Sequence, residues 1–463
     1  MATLTGTKRR LLPRIQTPPE WGIEPVPASQ RTLQFLDYLV LWGDLGIGLL
    51  VLLAGTFLVP GLGLRDALLA IGIGSILGAL LLALVGVIGS DNATPTMVLL
   101  RPVLGVRGSY LPTMLNVLQL VGWTIFEFIV MGFAANEISQ VLFGFSNYPL
   151  WAGIFAAIVV LMGVGGPIGV VRQWLEKFAV WIALATGAWL TYLLLSSSDF
   201  PALLNKAGDG SLPFWVGVDL VIALPISWLP LVADYNRFAR KSRGAFWGTF
   251  VGFAITNFWF LALGTMALLG AGVNQEPKEF AKAIALTAGW VALLILLADE
   301  THNAWADLYS SAVSLQNAFP KVKQRWLIFG LGVLTYVIAI GLDITQYQNF
   351  LYLIGSLFVP LFGILLADYF VLRRRPYRVD EFFDAQGAYW YARGINLWGI
   401  VAWIIGILAY HVTNPTTLGA LVADWPRIIP GALSAFGGSL PSFLAAFVVY
   451  AVLGFIFLKR SKS

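Results

Sequence analysis

The stretch that decides the fold runs from Val221 to Arg240 and reads VIALPISWLPLVADYNRFAR. It begins as an apolar run and is interrupted by Pro225 and Pro230, with Ser227 and Trp228 between them. A proline inside a helix removes a backbone donor and clashes with the carbonyl four residues earlier. Hydrocarbon cannot satisfy the freed groups, so broken helices persist at membrane depth only beside protein or a water-filled cavity, and secondary transporters bind their substrates at such breaks. The stretch therefore predicts a membrane transporter whose substrate site forms around Trp228.

The composition is that of a polytopic membrane protein. Hydrophobic residues make up 58% of the 463 residues and charged residues 11%, whereas an average soluble domain has roughly 25% charged residues. The chain has no Cys, which excludes disulfides and thiolate metal sites. Its only histidines are His302 and His411, so a His-rich metal centre is not expected. We therefore expect an all-α membrane protein with no cofactor and no bound metal beyond a coupling ion such as Na⁺.

Twelve apolar segments follow a polar, Pro-rich N-terminal stretch, and most of them approach the ~20 residues that span a bilayer. We number them spans 1 to 12, at residues 33–60, 64–89, 109–140, 149–168, 171–197, 213–236, 244–272, 284–316, 326–343, 346–372, 394–413 and 440–458. Residues 1–31 lack the apolar core and cleavage site of a signal peptide and are predicted to form a cytoplasmic tail.

The distribution of basic residues predicts the orientation in the membrane. Of the 29 Lys and Arg residues, 24 lie in the N-terminal tail, in the loops after even-numbered spans or at the C-terminus. Because Lys and Arg collect on the cytoplasmic side of short loops, both termini are expected in the cytoplasm, at the plasma (inner) membrane. The formal net charge of +5 then reflects topology, and no nucleic-acid partner is expected. Asp234, Arg237 and Arg240 are interpreted as ordinary residues of this charged side, with an inward gate as the alternative.

Span 1 contains a second irregularity, in LWGDLGIGLLVLLAGTFLVP. Gly43, Gly46 and Gly48 surround Asp44 and favour a break in the helix, although packing glycines are common in membrane helices. Spans 1 and 6 are equivalent if the fold consists of two inverted repeats of five helices, and corresponding interruptions in two halves point to a transporter site. The predicted units are the tail at 1–31, a first repeat at 32–200, a second repeat at 201–372, and a part with spans 11 and 12 at 373–463.

Two spans carry acidic residues at membrane depth. In span 3, Trp123 and Glu127 are four residues apart and share one helix face; the alternatives are a lipid-facing aromatic and a helix-to-helix hydrogen bond. Span 8 contains LLADETHNAWADLYSSAVSLQN, whose polar residues cannot all face lipid. Asn303 and Asp307 form a second pair four residues apart, opposite Glu127 in the inverted-repeat scheme. Acceptors beside an indole suit a flat solute with several N–H donors, such as a nucleobase.

The chain resembles the nucleobase–cation symporter-1 family of cytosine, purine, allantoin, hydantoin and hydroxymethylpyrimidine permeases. The resemblance covers spans 1 to 10 and rests on VADYNRFAR in span 6, GSLFVPLFGILLADYFVLRRR in span 10, GWTIFE in span 3 and the polar run of span 8. It implies the leucine-transporter architecture, in which spans 1 to 5 repeat inverted as spans 6 to 10. A bundle of spans 1, 2, 6 and 7 then moves against a scaffold of spans 3, 4, 8 and 9, and spans 11 and 12 are peripheral.

The resemblance also implies roles for single residues. Trp123 and Trp228 match the tryptophans that stack on the two faces of the substrate ring, and Ser227 offers backbone polar groups. Glu127 matches a polar residue that is often Gln, and Asp307 matches an amide that binds substrate. Acids in place of amides favour substrates that are rich in N–H donors or carry a protonated ring. The predicted substrate-binding residues are Trp123, Glu127, Ser227, Trp228, Asn303 and Asp307.

The resemblance places the coupling ion between spans 1 and 8. In sodium-coupled members span 8 supplies a backbone carbonyl and two hydroxyl residues, and span 1 supplies carbonyls near its break. Here Ala298, Thr301 and His302 align with the span 8 ligands, and the break is that of Gly43 and Gly46. His302 is a poor ligand for so hard a cation, whereas an imidazole among carboxylates can accept a proton. The coupling ion is therefore H⁺ or Na⁺, with H⁺ favoured.

Together these patterns predict a cation-coupled importer that works by alternating access and is not an enzyme. The substrate is expected to be a nucleobase or a related small N-heterocycle, with cytosine or another aminopyrimidine or purine preferred. Hydroxymethylpyrimidine, hydantoin and allantoin are the alternative substrates, and a solute-sensing membrane receptor is the alternative from another class. The expected partners are the heterocyclic substrate and membrane lipid.

Overall fold

The computed structural model describes residues 22–165, 180–197, 199–271, 289–342, 347–414 and 436–458. The first 21 residues of the predicted tail and the ends of several predicted spans lie outside these ranges, including 171–179 of span 5 and 284–288 of span 8. The helices of spans 1 to 6 are Phe35–Asp44 with Leu49–Thr56, Leu64–Asn92, Tyr110–Phe143, Tyr148–Gly165, Val180–Ser197, and Phe214–Trp228 with Val232–Asn236. The helices of spans 7 to 12 are Ser242–Ala271, Trp290–Ala318, Gln324–Ala339, Tyr347–Leu366, Leu397–Thr413 and Ser439–Leu453.

The length and hydropathy of these helices identify a multi-pass membrane protein. Among the described residues, seven helices are each long and apolar enough to cross a membrane, and the bent pair of span 1 raises the number to eight if it counts as one span. The helices of spans 5, 9 and 11 are apolar but shorter. The helix of span 8 contains Asp299, Glu300 and Asp307, which lower its hydropathy. The helix positions agree with the sequence pattern, and the total of twelve membrane crossings stays a prediction.

The described helices pack into two groups. Span 7 packs along spans 1 and 2, and span 2 packs along span 6. In the other group span 8 packs along span 3, and spans 4 and 9 complete the group. Contacts between the helix halves of span 1 and spans 3 and 8 are few by comparison. The expected division into a bundle and a scaffold is therefore present in the packing, and the predicted substrate residues lie on the helices that face each other across it.

Spans 10 to 12 pack together at the side of the bundle. Span 12 packs along spans 10 and 11, and span 10 packs along span 6. Asp219 of span 6 accepts hydrogen bonds from the backbone N–H groups of Gly438 and Ser439 at the start of span 12, the latter at 2.9 Å. It also accepts one from the side chain of Asn414 at 3.2 Å. A buried carboxylate at a helix N-terminus is well stabilised, so it ties the peripheral helices to span 6.

Candidate functional site

Span 1 is broken at the middle of the membrane, as the glycine pattern predicts. Its first helix ends at Asp44, its second begins at Leu49, and the axis bends by 57° between them. Two side chains of span 8 satisfy the freed backbone groups. Glu300 Oε2 accepts a hydrogen bond from the N–H of Leu49 at 2.7 Å, and Asn303 Nδ2 donates one to the carbonyl of Ile47 at 3.0 Å. The break is thus held open by residues from the opposite helix group.

Gly48 is the glycine that the break requires. Its φ of 153° is one that residues with a side chain rarely adopt. A Cβ atom at this position would lie 2.7 Å from Glu300 Oε2 and 2.9 Å from Asn303 Nδ2. Glycine therefore allows both the conformation and the two hydrogen bonds from span 8.

Gly43 and Gly46 have a different surrounding. A Cβ atom on Gly43 would meet Gly252 of span 7 at 3.8 Å, and one on Gly46 would collide with Thr256 of the same span. These two glycines therefore let the backbones of spans 1 and 7 approach closely, as small residues do in membrane helices. The contacts of Gly43 and Gly46 thus agree with the interpretation as packing glycines. The ion-binding role predicted for the nearby break stays a prediction.

Span 6 is less interrupted than its prolines suggest. Its first helix continues through Pro225 to Trp228, one 3₁₀ turn covers Leu229–Leu231, and helix resumes at Val232. The whole stretch Phe214–Asn236 is long and apolar enough to count as one crossing. The expectation of an unwound span 6 is therefore wrong, because the freed groups find partners inside the protein.

Gln119 of span 3 supplies the main one of those partners. Its Nε2 donates to the carbonyl of Ser227 at 2.8 Å, while the N–H of Leu229 turns to the carbonyl of Ile226. The sequence analysis does not single out Gln119. It stands four residues before Trp123 and eight before Glu127, so the helical spacing that puts those two on one face also includes Gln119.

A cavity lies between the two irregular spans. Its volume is about 30 Å³, far below the roughly 300–1,000 Å³ of ligand sites, so the walls must move apart before a heterocycle can enter. All six predicted substrate-binding residues line it: Trp123, Glu127, Ser227, Trp228, Asn303 and Asp307. Six further residues complete the lining: Leu45, Leu50, Val51, Leu224, Glu300 and Tyr347. Residues from spans 1, 3, 6 and 8 are thus brought together in one small hollow.

The polar atoms of the cavity are mostly acceptors. Glu127 of span 3 and Asp307 of span 8 both bring a carboxyl group to the lining. No N–H or O–H group of the described residues donates to Glu127 Oε2 or to Asn303 Oδ1, and Trp123 Nε1 has no acceptor. These side chains are 2%, 5% and 7% exposed. Buried polar atoms are normally paired, so this set is suited to a bound solute that brings N–H groups.

The two indoles of the cavity, Trp123 and Trp228, pack against different helices. Trp228 packs edge-on against Trp42 of span 1, with ring centroids 6.2 Å apart. Trp123 packs edge-on against Tyr347 and Phe350 of span 10, at 5.6 Å and 5.4 Å. Tyr347 also donates from its hydroxyl to the carbonyl of Leu50 at 3.2 Å. One indole is therefore held by the bundle and the other by the scaffold together with span 10.

A second cluster of titratable groups lies beside the break of span 1. His302 Nδ1 is 2.9 Å from Asp44 Oδ2, and Asp299 joins them so that one ligand atom of each residue lies within 4.8 Å of the others. All three residues are buried. Thr301 donates to the carbonyl of Ala298 at 2.6 Å, as hydroxyls commonly do within a helix. The cluster includes His302 from the predicted coupling set.

Asp44 and Asp299 are not among the predicted coupling residues. A sequence signal exists for both, because Asp44 lies among the three glycines of the predicted break and Asp299 is three residues before His302. An imidazole between two carboxylates can hold and pass a proton, and its N and O atoms could also bind a cation.

Comparison with known proteins agrees with this geometry. The sequence profile of permeases for cytosine/purines, uracil, thiamine and allantoin matches residues 25–456. The chain belongs to this permease family. A hydantoin permease of Microbacterium maritypicum is 25% identical over 426 residues, covering 84% of this chain and 83% of the relative. The cytosine permease of Escherichia coli K12 is 28% identical over 401 residues, covering 84% and 88%.

A solved structure shows the fold. Mhp1, a nucleobase-cation-symport-1 family transporter in a closed conformation with bromovinylhydantoin bound, matches this permease with a TM-score of 0.80 at 20% identity, over 96% of this chain and 97% of that one. The permease therefore has the leucine-transporter-like fold that its sequence predicts, and its relatives are transporters rather than enzymes.

The N-terminal segment packs on the side of the permease that is predicted to face the cytoplasm. Arg237 is fully buried, so its interpretation as an ordinary surface charge is wrong. Its guanidinium donates to the carbonyl of Gly22 at 2.6 Å and to the hydroxyl of Tyr309 at 3.3 Å. Leu33 forms a parallel bridge with Ala239. Residues 22–33 thus lie across the ends of spans 6 and 8.

Proposed function

We propose that this permease imports a nucleobase or a related small N-heterocycle by cation-coupled alternating access, with cytosine or another aminopyrimidine or purine as the preferred substrate. The observation that carries the proposal is the cavity at the break of span 1, where two indoles and a set of buried acceptors meet. Flat faces supply stacking affinity, and the acceptors select for ring N–H groups. The named relatives transport hydantoin or cytosine, which are solutes of this size and shape.

The roles of the lining residues follow from their chemistry. Trp123 and Trp228 would enclose the ring from the scaffold side and the bundle side. Glu127 and Asp307 would accept from its N–H groups, and Asn303 would accept at its free Oδ1 while it holds the break through its Nδ2. Because these residues belong to two helix groups, closure of the groups around the ring completes the site. Rocking of the bundle would then open the cavity inward, once residues 22–33 release the ends of spans 6 and 8.

The coupling ion proposed here is H⁺, carried by His302 with Asp44 and Asp299. The cluster joins the moving bundle to the scaffold, because Asp44 belongs to span 1 and the other two residues to span 8. A cation drives transport only if it binds the two states with different affinity. A proton shared across this junction meets that condition, since the Asp44 to His302 contact is made only when spans 1 and 8 are close. Na⁺ is the alternative ion.

The proposed orientation places both termini in the cytoplasm of the plasma (inner) membrane. It is supported by the basic residues of the even-numbered loops. It also puts the ends of spans 6 and 8 on which residues 22–33 pack on the inner side.

Counterflow in proteoliposomes tests the proposal. Vesicles loaded with unlabelled cytosine should take up labelled cytosine, and an acid-outside pH gradient should then drive accumulation without Na⁺. Asp44→Asn should keep counterflow and lose proton-driven accumulation, while Asp66→Asn, at an exposed position at the start of span 2, should keep both.

If no heterocycle of the cytosine, purine, uracil, hydantoin, allantoin and hydroxymethylpyrimidine panel exchanges, the carrier proposal fails and a solute-sensing receptor is favoured. Accumulation that requires Na⁺ and ignores pH would reject H⁺ as the coupling ion.

A further inference from the structure

The cavity has an excess of negative groups. Three of its twelve lining residues are acids, Glu127, Glu300 and Asp307, and none is Lys, Arg or His. Each of the three side chains is at most 2% exposed. Acidic side chains at membrane depth are costly unless they meet a counter-charge or a partner. The question is which group neutralises them when the cavity closes.

Part of the charge is offset within the protein. Glu300 accepts from the N–H of Leu49 at 2.7 Å, and the helix Leu49–Thr56 that begins there points its N-terminus at the carboxylate. A helix N-terminus is equivalent to roughly half a positive charge. Glu127 and Asp307 have no basic residue beside them among the twelve lining residues. The lining therefore offers acidic groups and no basic side chain to offset them.

The unpaired atoms indicate where a ligand would bind. Glu127 Oε2 and Asn303 Oδ1 are buried acceptors with no donor among the described residues, and both side chains line the cavity. Two unpaired acceptors in one cavity suit a ligand that brings two N–H groups. Charge-assisted pairs are roughly twice as strong as neutral ones.

We propose that the substrate of this cavity is a planar monocation with an amidinium-type edge, in which two N–H donors share one positive charge. An N-protonated aminopyrimidine is a simple heterocycle of this kind. The proposal rests on the proposed transport function and narrows its substrate class. Glu127 Oε2 and Asn303 Oδ1 accept from the edge, Asp307 and Glu300 add further acidic groups, and the indoles enclose the ring, where a cation gains further from the aromatic faces.

Matched probes separate charge from shape. Benzamidine is a planar cation with two N–H donors, benzamide is its neutral isostere, and phenyltrimethylammonium carries the charge without N–H groups. Affinity for each is measured on the purified full-length protein by ligand-induced thermal stabilisation, because a ligand of the folded state raises its melting temperature by mass action. Benzamidine should bind at least tenfold more tightly than either of the other two.

Isosteric variants locate the effect. Glu127→Gln, Asp307→Asn and Glu300→Gln each remove one acid and keep a carbonyl acceptor, so Glu300→Gln can still accept from Leu49. Each should reduce the benzamidine-to-benzamide ratio at least fivefold. Asp384→Asn, at an exposed acid in the loop after span 10, should leave the ratio unchanged. Glu127→Asp, which keeps the acid, checks that loss in Glu127→Gln reflects charge and not misfolding.

The outcomes distinguish this inference from the transport proposal. Equal binding of benzamidine and benzamide, or a ratio that all three acid variants leave unchanged, overturns the cationic substrate even if cytosine is exchanged in vesicles. Equal binding of benzamidine and phenyltrimethylammonium overturns the amidinium edge. If benzamidine binds with the expected acid dependence while no solute exchanges across vesicles, the cation site stands and the carrier proposal fails.

Discussion

In the two interrupted spans of this permease, the size of the break does not follow the number of helix-breaking prolines. Span 6 contains two prolines and stays almost continuous, with a single 3₁₀ turn at Leu229–Leu231. Span 1 contains no proline in its break, yet it bends by 57° and leaves its helical path between Asp44 and Leu49. The weaker signal in the sequence thus marks the larger break in the structure.

The difference is explained by the partners of the freed backbone groups. In span 6 the side chain of Gln119 donates to the Ser227 carbonyl. The N–H of Leu229 bonds to the carbonyl of Ile226 within the same turn. In span 1 an acceptor and a donor from span 8, Glu300 and Asn303, act on the two sides of the gap. A helix opens fully where another element offers hydrogen bonds to both ends. Glycine makes this possible at Gly48, whereas a proline by itself removes only one donor.

The largest effect is expected from Gly48→Ala. The added Cβ meets Glu300 and Asn303 below 3.0 Å in a backbone conformation that alanine rarely adopts. Strain and overpacking together should cost about 2–5 kcal/mol and reduce cytosine counterflow more than tenfold. The melting temperature and the exchange rate measure the two effects. Gly330→Ala, inside the helix Gln324–Ala339 where a Cβ meets nothing within 4 Å, is the control and should raise stability by about 0.5–1 kcal/mol.

Glu300→Leu should have the next largest effect. It leaves the N–H of Leu49 without its acceptor inside the membrane, at a cost of about 1–3 kcal/mol. Glu300→Gln keeps an acceptor and should recover most of the melting temperature. If Glu300→Leu and Glu300→Gln melt at the same temperature, the carboxylate does not hold the break and the explanation given for span 1 is incorrect.

Gln119→Leu should have a smaller effect at span 6. The carbonyl of Ser227 loses its side-chain donor, which should cost about 1 kcal/mol, and counterflow should fall several-fold because Ser227 lines the cavity. Gln140→Leu, at an exposed position near the end of span 3, serves as the control for the melting temperature. A loss larger than that of Glu300→Leu would reverse the comparison between the two spans.

Pro225→Ala should have the smallest effect of the series. The residue lies inside a helix that is already continuous, so alanine fits the same backbone. Stability should change by less than about 1 kcal/mol, and the counterflow rate should stay within about twofold. A strong loss of exchange at normal melting temperature would instead show that this proline makes a bend that transport needs.

The site was predictable where helical spacing determines which residues share a face. The spacing of Trp123 to Glu127 and of Asn303 to Asp307, with the inverted-repeat scheme, predicts one shared cavity, and all four residues line one. Their role in substrate binding stays a prediction. The spacing does not show which of the many polar residues of span 8 acts on another helix. Glu300 was therefore missed as the partner of span 1, and Asp44 was missed as a neighbour of His302.

Arg237 illustrates the same limit at the covered end. Its place in a charged loop region indicates a solvated side chain, but residues 22–33 cover it and accept its hydrogen bond at Gly22. Sequence distance conceals that contact, because more than 200 residues separate the two partners.

The sequence by itself determined the membrane class, the positions of the helices, the family and the set of side chains that are too polar to face lipid, because composition, periodicity and local propensity are properties of short stretches. Only the tertiary structure decided which span breaks, which carboxylate caps the break and which residues cover Arg237. The physical reason is that a freed backbone group or a buried charge is stabilised by its partner, and in this permease the partners of span 1 come from span 8, some 250 residues away along the chain.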